Sequence, residues 1–239
     1  MLKFYIKKIL NNFGWTLTKI DRKKPLSYNY SKPDLNHIKK IIDSSGVLHL
    51  GAHRGSEAEI YNWFNKKVLW VEGYPQIYEN LKQNINNYYQ QESILALLGD
   101  KNEIVKFYVS NKDSSCSSIF DFSNEVKNKK LWSNLDLKML KTTSLEMKKL
   151  DDVLLQNKIN PKEYNHWIVD LQGAELQALM GAKESIKDCK SIYIEISKKQ
   201  YYEGNSTKWE DLKNFLISLN FILINEPTED HCEVLFEKI

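Results

Sequence analysis

Short apolar runs alternate along this chain with segments of helical spacing. Val47–Leu50, Val68–Val71, Ile94–Leu98, Trp167–Asp170 and Ile192–Ile196 read as strands, and apolar residues recur with helical period over 57–64, 75–88, 174–184 and 207–218. Strands that alternate with helices predict a doubly wound α/β domain, a mostly parallel sheet with helices on both faces. Two stretches elaborate the middle: "EIVKFYVSN" reads as β structure added after the third strand, and "KMLKTTSLEMKKLDDVLLQN" as a strand followed by a helix. The chain closes on "NFILINEPTEDHCEVLFEKI", two apolar strands around a polar connection with Pro227, which predicts a C-terminal antiparallel hairpin. No internal repeat or low-complexity tract interrupts the pattern.

Composition narrows the picture. A chain of 239 residues, 42% hydrophobic and 27% charged, is long enough to bury one sizeable core. Residues 1–24 hold Lys3, Lys7, Lys8, Lys19, Arg22, Lys23 and Lys24 against Asp21, a net +6, so the remainder carries −3 of the overall +3. The expected organisation is a basic amphipathic extension over 1–35 and one domain over 36–239, with no nucleic-acid partner. Leu2, Ile6, Ile9, Leu10 and Phe13 share one helical face of the extension. Such a face suits peripheral contact with an anionic membrane, or docking against the domain or the second copy of a homodimer.

Cys116, Cys189 and Cys232 form neither a C-x-x-C pair nor a zinc spacing, and no apolar run reaches the 18 or so residues of a membrane span. The expected setting is cytoplasmic, at most peripheral to a membrane. Asn205-Ser206-Thr207 matches a glycosylation acceptor only by spacing.

The stretch "GVLHLGAHRGSEAEIYNWF" carries the first candidate chemistry. Where a parallel strand feeds a helix, Gly51 and Gly55 leave backbone N–H groups open to a ligand, with Ala52 and His53 between them. Glu72 ends the second strand 21 residues after Gly51, where a carboxylate accepts both hydroxyls of a ribose. Asp100, after the third strand, stands where related folds meet an adenine ring. The spacing G-x-x-x-G in "LGAHRGS" lacks the central glycine of the dinucleotide fingerprint, and the terminal hairpin also speaks for S-adenosylmethionine rather than NAD.

In "HWIVDLQGAELQALMGAKESI", Asp170 ends the fourth strand over the crevice, and Gly173 permits a tight entry into the helix that carries Glu175. Two carboxylates therefore converge on one rim. Gly181 reads as a packing or C-cap position.

The ordered set "LHLGAHRG", "LWVEGYP", "TTSLEMKKLDDVL", "WIVDLQGAELQALMGA" and "IYIEIS" resembles the FkbM-type S-adenosylmethionine-dependent methyltransferases over roughly residues 45–238. The resemblance implies a Rossmann-like class I methyltransferase fold and methylation of hydroxyl groups on sugars or polyketides. The first strand departs from the family pattern, since His49 stands where an Asp usually precedes the glycine turn. His53 stands where many relatives carry Asn and reads as a cofactor-loop residue.

A sugar hydroxyl is a weak acid, so its methylation calls for a base or a metal ion beside the oxygen. Asp170 is the leading candidate for base or metal ligand, with Glu195 of "IYIEIS" as partner, His53 as the alternative base and a hard divalent cation such as magnesium as the optional cofactor. His37, His49, His166 and His231 read as structural. "SSCSSIFDF", with Ser117, and "KKQYYEGNSTKW", with Tyr202, are candidate linings for the acceptor beside Glu175. The expectation is an O-methyltransferase for a carbohydrate acceptor, whether free, nucleotide-linked, lipid-linked or polymeric. An NAD-binding oxidoreductase and a noncatalytic scaffold are the other readings.

Overall fold

The stretch Gly46–Leu50 is buried at all five positions, so it needs cover on both faces. The structure, a computed structural model that describes residues 34–239, provides that cover. Its strands are β1 (Gly46–Leu50), β2 (Lys67–Glu72), β3 (Gln91–Leu95), β4 (Leu97–Leu98), β5 (Glu103–Ser110), β6 (Met139–Lys148), β7 (His166–Val169), β8 (Ser191–Ser197), β9 (Phe221–Leu223) and β10 (His231–Lys238). The helices are α1 (Leu35–Asp43), α2 (Ala58–Trp63), α3 (Pro75–Ile85), α4 (Asn124–Lys127), α5 (Leu150–Gln156), α6 (Glu175–Met180) and α7 (Trp209–Ser218).

The main sheet has the order β3-β2-β1-β7-β8-β10-β9, parallel from β3 to β8. Strand β10 runs antiparallel to both β8 and β9, which closes the sheet with the expected hairpin. Leu48, Leu50, Leu69, Trp167 and Val169 face α5, α6 and α7 through Val153, Leu179 and Leu212. On the other face Val47, Val68 and Trp70 meet Ile41, Tyr61 and Leu81 from α1, α2 and α3. The strand order reverses between β1 and β7, which opens a crevice at their C-terminal ends.

Two elements differ from the sequence pattern. The apolar run Ile94–Leu98 is not one strand: Ala96 donates its N–H to Glu72 and ends the pairing with β2, after which Leu97 and Leu98 pair with Met147 and Lys148 of β6. The chain thus changes sheets within the run, into a three-stranded sheet of order β4-β6-β5. The helix expected over 174–184 ends at Met180. Gly181 caps it and lies so near β4 that a Cβ there would stand 2.1 Å from the Gly99 carbonyl oxygen.

His49 lies within the buried β1. It stacks on Trp70 with ring centroids 4.6 Å apart and places Nδ1 3.2 Å from the Tyr61 hydroxyl. Burial lowers its pKa to about 4, so it is neutral at physiological pH. Leu35–Ile239 form one unit; residues 1–33 of the basic extension lie outside the described residues. Among the described residues no helix is long and apolar enough to cross a membrane.

Gly51 holds φ +83°, and a Cβ there would fall 1.7 Å from the Asp170 carbonyl oxygen; at Gly204, φ +68°, the nearest atom is 3.7 Å away. Gly204→Ala should therefore cost only the left-handed backbone, about 1–2 kcal/mol. Gly51→Ala should cost more than about 3 kcal/mol, because backbone must also move. Urea unfolding of both variants checks this, and equal losses would show that the β1–β7 junction relaxes freely.

Candidate active site

The crevice at the ends of β1, β2 and β7 is a cleft with about 240 Å³ of free volume. Gly51, Ala52, His53, Glu72, Ser117 and Asp170 all line it. The glycine turn works differently from the sequence expectation. Gly51 and Ala52 both donate their N–H groups to the Val71 carbonyl, at 3.0 and 3.1 Å, His53 donates to Glu72, and Gly55 donates to Ala52. These amides are spent inside the protein and offer a ligand little. Gly51 is required by the Asp170 backbone and Gly55 by Leu81 of α3, 2.7 Å from where its Cβ would be, so Gly55 packs away from the cleft.

Glu72 is the acceptor that the turn is built around. One carboxylate oxygen takes the His53 N–H and the other the Tyr74 N–H, each at 2.8 Å. Burial raises its pKa, and these two amides oppose the shift. Each oxygen keeps lone-pair capacity for a further donor, as a ribose diol requires. Beyond it Tyr74, Ile77, Leu97, Leu98 and Phe107 give the cleft an apolar wall. Asp100 is not among the lining residues. The change of sheets at Ala96 puts Leu97 and Leu98 at that position instead, which corrects the expectation of an Asp100 contact.

Over the cleft lies a roof, residues 111–118. Lys112, Asp113 and Ser114 take consecutive left-handed conformations, φ +54°, +61° and +64°. The roof is tied down by His53, whose Nε2 bonds the Asp113 carbonyl at 2.9 Å, and by an Arg54–Asp113 ion pair at 3.3 Å. A carbonyl oxygen only accepts, so Nε2 is the donor in that bond. Ser117 accepts the Ser110 N–H, and Ser118 donates to the Gln172 carbonyl.

The opposite wall holds the charge. Asp170, Glu175 and Glu195 each bring a carboxylate oxygen within 4.8 Å of the others. Gln172, left-handed at φ +52°, joins them: its Nε2 donates to Asp170 at 2.6 Å and to Glu195 at 2.8 Å, and its Oε1 accepts the Tyr202 hydroxyl at 2.7 Å. Glu195 also meets His231 Nε2 at 3.2 Å. Burial, then the field of Glu195 and a hydrogen bond shared with it, holds Asp170 well above the usual carboxylate range. Burial with the field of Glu175 pushes Glu195 up to about 8. Glu175 is 3% exposed and does not line the cleft; one of its oxygens takes the Leu171 and Gly173 N–H groups at 3.1 and 2.9 Å. It is a strut for the β7–α6 loop, not the acceptor contact expected. Tyr202, buried, lines a narrow second cavity with Glu195 on the far side of Gln172.

The family model described as the methyltransferase FkbM domain matches residues 49–223. This chain belongs to the FkbM methyltransferase family. A 2-O-methyltransferase, NoeI of Sinorhizobium fredii, is 25% identical over 166 residues, 66% of this chain. The match spans 65% of that relative's length, just under two thirds. Among solved structures, a SAM-dependent methyltransferase from Aquifex aeolicus aligns with TM-score 0.46 and 8% identity over 84% of this chain and 87% of its own. Magnesium protoporphyrin IX methyltransferase from Synechocystis PCC 6803 aligns with TM-score 0.44 and 10% identity over 99% and 97%.

The FkbM family implies S-adenosylmethionine, and the residues of the cleft fit it: Glu72 would take the ribose and the apolar wall the adenine, with Asp170 also on the cleft. His49 lines the same cleft but is neutral and held by Tyr61, so it supplies no carboxylate for an amino group. A divalent cation does not fit. The Gln172 amide hydrogens point at both Asp170 and Glu195, so a donor lies between the two carboxylates where a cation would have to sit. Sequence reasoning passed over Gln172 and His231, which complete the network; the left-handed "QG" pair after a strand-end Asp is the available signal for the first.

Glu72→Ala should weaken S-adenosylmethionine binding by about 1–3 kcal/mol through the lost charged hydrogen bonds. Calorimetry checks this, and unchanged affinity would remove Glu72 from the cofactor site.

Proposed function

We propose that this chain is an S-adenosylmethionine-dependent O-methyltransferase acting on a sugar hydroxyl of a glycan or glycan precursor. The observation that carries the reading is Asp170, part-exposed to the cleft and joined to Glu195 through the Gln172 amide. The bound donor supplies an already activated methyl group. What remains for the protein is to align an oxygen nucleophile and take its proton, and a carboxyl pair with raised affinity for protons is suited to that. The 2-O-methyltransferase activity of the Sinorhizobium relative supports a hydroxyl acceptor. The hydroxyl-rich roof, with Ser114, Ser115, Ser117 and Ser118 on the cleft, supports a polyhydroxylated one. Trp132, Tyr201 and His231, with centroids 4.4 to 5.1 Å apart, offer aromatic faces near Glu195.

In this mechanism Asp170 receives the hydroxyl proton as the carbon–oxygen bond forms, and Glu195 shares it. Glu72 and the apolar wall hold the nucleoside. The tethered roof keeps water from the reacting atoms.

Asp170→Asn should leave the fold and cofactor affinity intact and slow methyl transfer to a glycan acceptor by on the order of a hundredfold or more. Normal turnover at saturating cofactor would remove Asp170 from the chemistry. Chelator treatment should leave the wild-type rate unchanged; loss restored by magnesium would overturn the metal-free reading. Because the carboxyl pair of the free protein must lose its proton and Glu195 is pushed up to about 8, kcat/KM for the donor should rise with pH through 7–8 and flatten above. A kcat/KM independent of pH from 6 to 9 would contradict it.

A further inference from the structure

Asp170 at the end of β7, Glu175 on α6 and Glu195 on β8 crowd three carboxylates into one buried cluster, and Glu233 of β10 adds its field. Facing them are the neutral Gln172, the Tyr202 hydroxyl, Cys116 from the roof loop and a single imidazole, His231 on β10. Among the described residues no Lys or Arg forms an ion pair with any member of the cluster. Like charges this close in a low-dielectric site cannot all be ionised, so the cluster holds a proton. Burial and mutual repulsion, which push Glu195 to about 8 and Glu175 to about 7, express the same imbalance.

The cluster therefore lacks a positive charge, and its open member, Asp170, lines the donor cleft. S-adenosylmethionine brings a fixed positive charge on sulfur; its demethylated product, S-adenosylhomocysteine, lacks the methyl group and with it that charge. We infer that the Asp170–Glu195 pair is a charge-selective element that gives up its proton when the cationic donor enters the cleft and keeps it when the neutral product does. The inference rests on the methyl-donor reading of the cleft and adds two consequences. The donor is favoured over the product by electrostatics rather than by shape. The base for the acceptor hydroxyl is also generated by donor binding itself: the proton leaves to solvent, with the part-exposed His231 on the exit side, and the acceptor's proton replaces it when the positive charge is consumed. Protons balance over the cycle, one released on binding and one returned by the hydroxyl.

The sign of the pH dependence follows. Below the pKa of the free cluster, cation binding must expel a proton, so affinity for the donor climbs with pH, by up to tenfold per unit, and levels off above about 8. Product affinity shows no such climb from this source. The amino-acid and nucleoside ends are common to both ligands, so the difference between them isolates the sulfur.

Calorimetric titration of the wild-type protein with S-adenosylmethionine and with S-adenosylhomocysteine, in buffers of different ionisation enthalpy at pH 7, counts the protons directly. The expected result is close to one more proton released with the donor than with the product, and loss of that difference in Glu195→Gln. Equal proton counts with both ligands bound would overturn the charge selection while leaving the methyl-donor reading in place. Failure of both ligands to bind would overturn that reading and this inference with it.

Discussion

The C-terminal ends of β1 and β7 meet backbone to backbone, and the site depends on that contact. Asp170 donates its N–H to Leu50, and its carbonyl oxygen fills the space where a Cβ of residue 51 would be. With the strand ends locked in this way, the Asp170 side chain lies on the cleft wall by construction. The Gly51–Ala52 amides are turned toward Val71 and the His53 amide toward Glu72. One steric constraint thus positions both carboxylates that the cleft presents. The bare backbone of the turn serves the packing of two strands, and ligand recognition passes to the Glu72 side chain that the packing orients.

The second wall is a polar network closed almost entirely on itself. Gln172 uses both amide hydrogens and its oxygen, Glu175 spends one oxygen on two loop amides, and His231 puts its Nδ1 within 2.9 Å of the Ser197 hydroxyl. A network satisfied to this degree is rigid, because releasing any member strands a buried polar group. It also explains why a glutamine tolerates a left-handed backbone before Gly173, a strain of about 1–2 kcal/mol that three good hydrogen bonds offset. The roof is built to the opposite specification. Toward the glycine turn, its three successive left-handed residues are tied by an exposed ion pair and one imidazole bond, a weaker hold than the carboxyl wall's.

How much was legible in the sequence follows from what each feature depends on. Strands and helices were readable because hydrophobic period is local, and Glu72, Asp170 and Glu195 because they end or lie late in strands at the crevice. The fate of the turn amides was not readable: a glycine pair reveals bare backbone but not which acceptor takes its N–H. Asp100 was misplaced because the sheet change at Ala96 is a choice between two pairing partners, β2 and β6, that an apolar run cannot express. Glu175 looked like a rim residue because helical spacing gives its position and not the backward reach of its carboxylate to Leu171 and Gly173. His231, far along the chain, joins the site only through the register of β10 with β8, where it sits opposite Ser197.

The same cluster sets a cost for the fold. A carboxyl whose pKa is raised on folding, as for Glu195 and Glu175, opposes folding at any pH where the unfolded chain would be ionised. That cost is absent below the unfolded pKa of about 4.5 and grows until pH passes the folded value, about 7 for Glu175 and about 8 for Glu195. His49, lowered to about 4, acts in the other direction: burying it neutral costs stability only below its unfolded pKa of about 6.5, and increasingly so down to its folded value. The two groups therefore respond oppositely to pH, the buried His49 weakening the fold in acid and the carboxyl cluster in base. A positive charge in the cleft relieves the second strain and leaves the first untouched, so ligand stabilisation should be greatest on the alkaline side, where the carboxyl cluster is most in need of a partner.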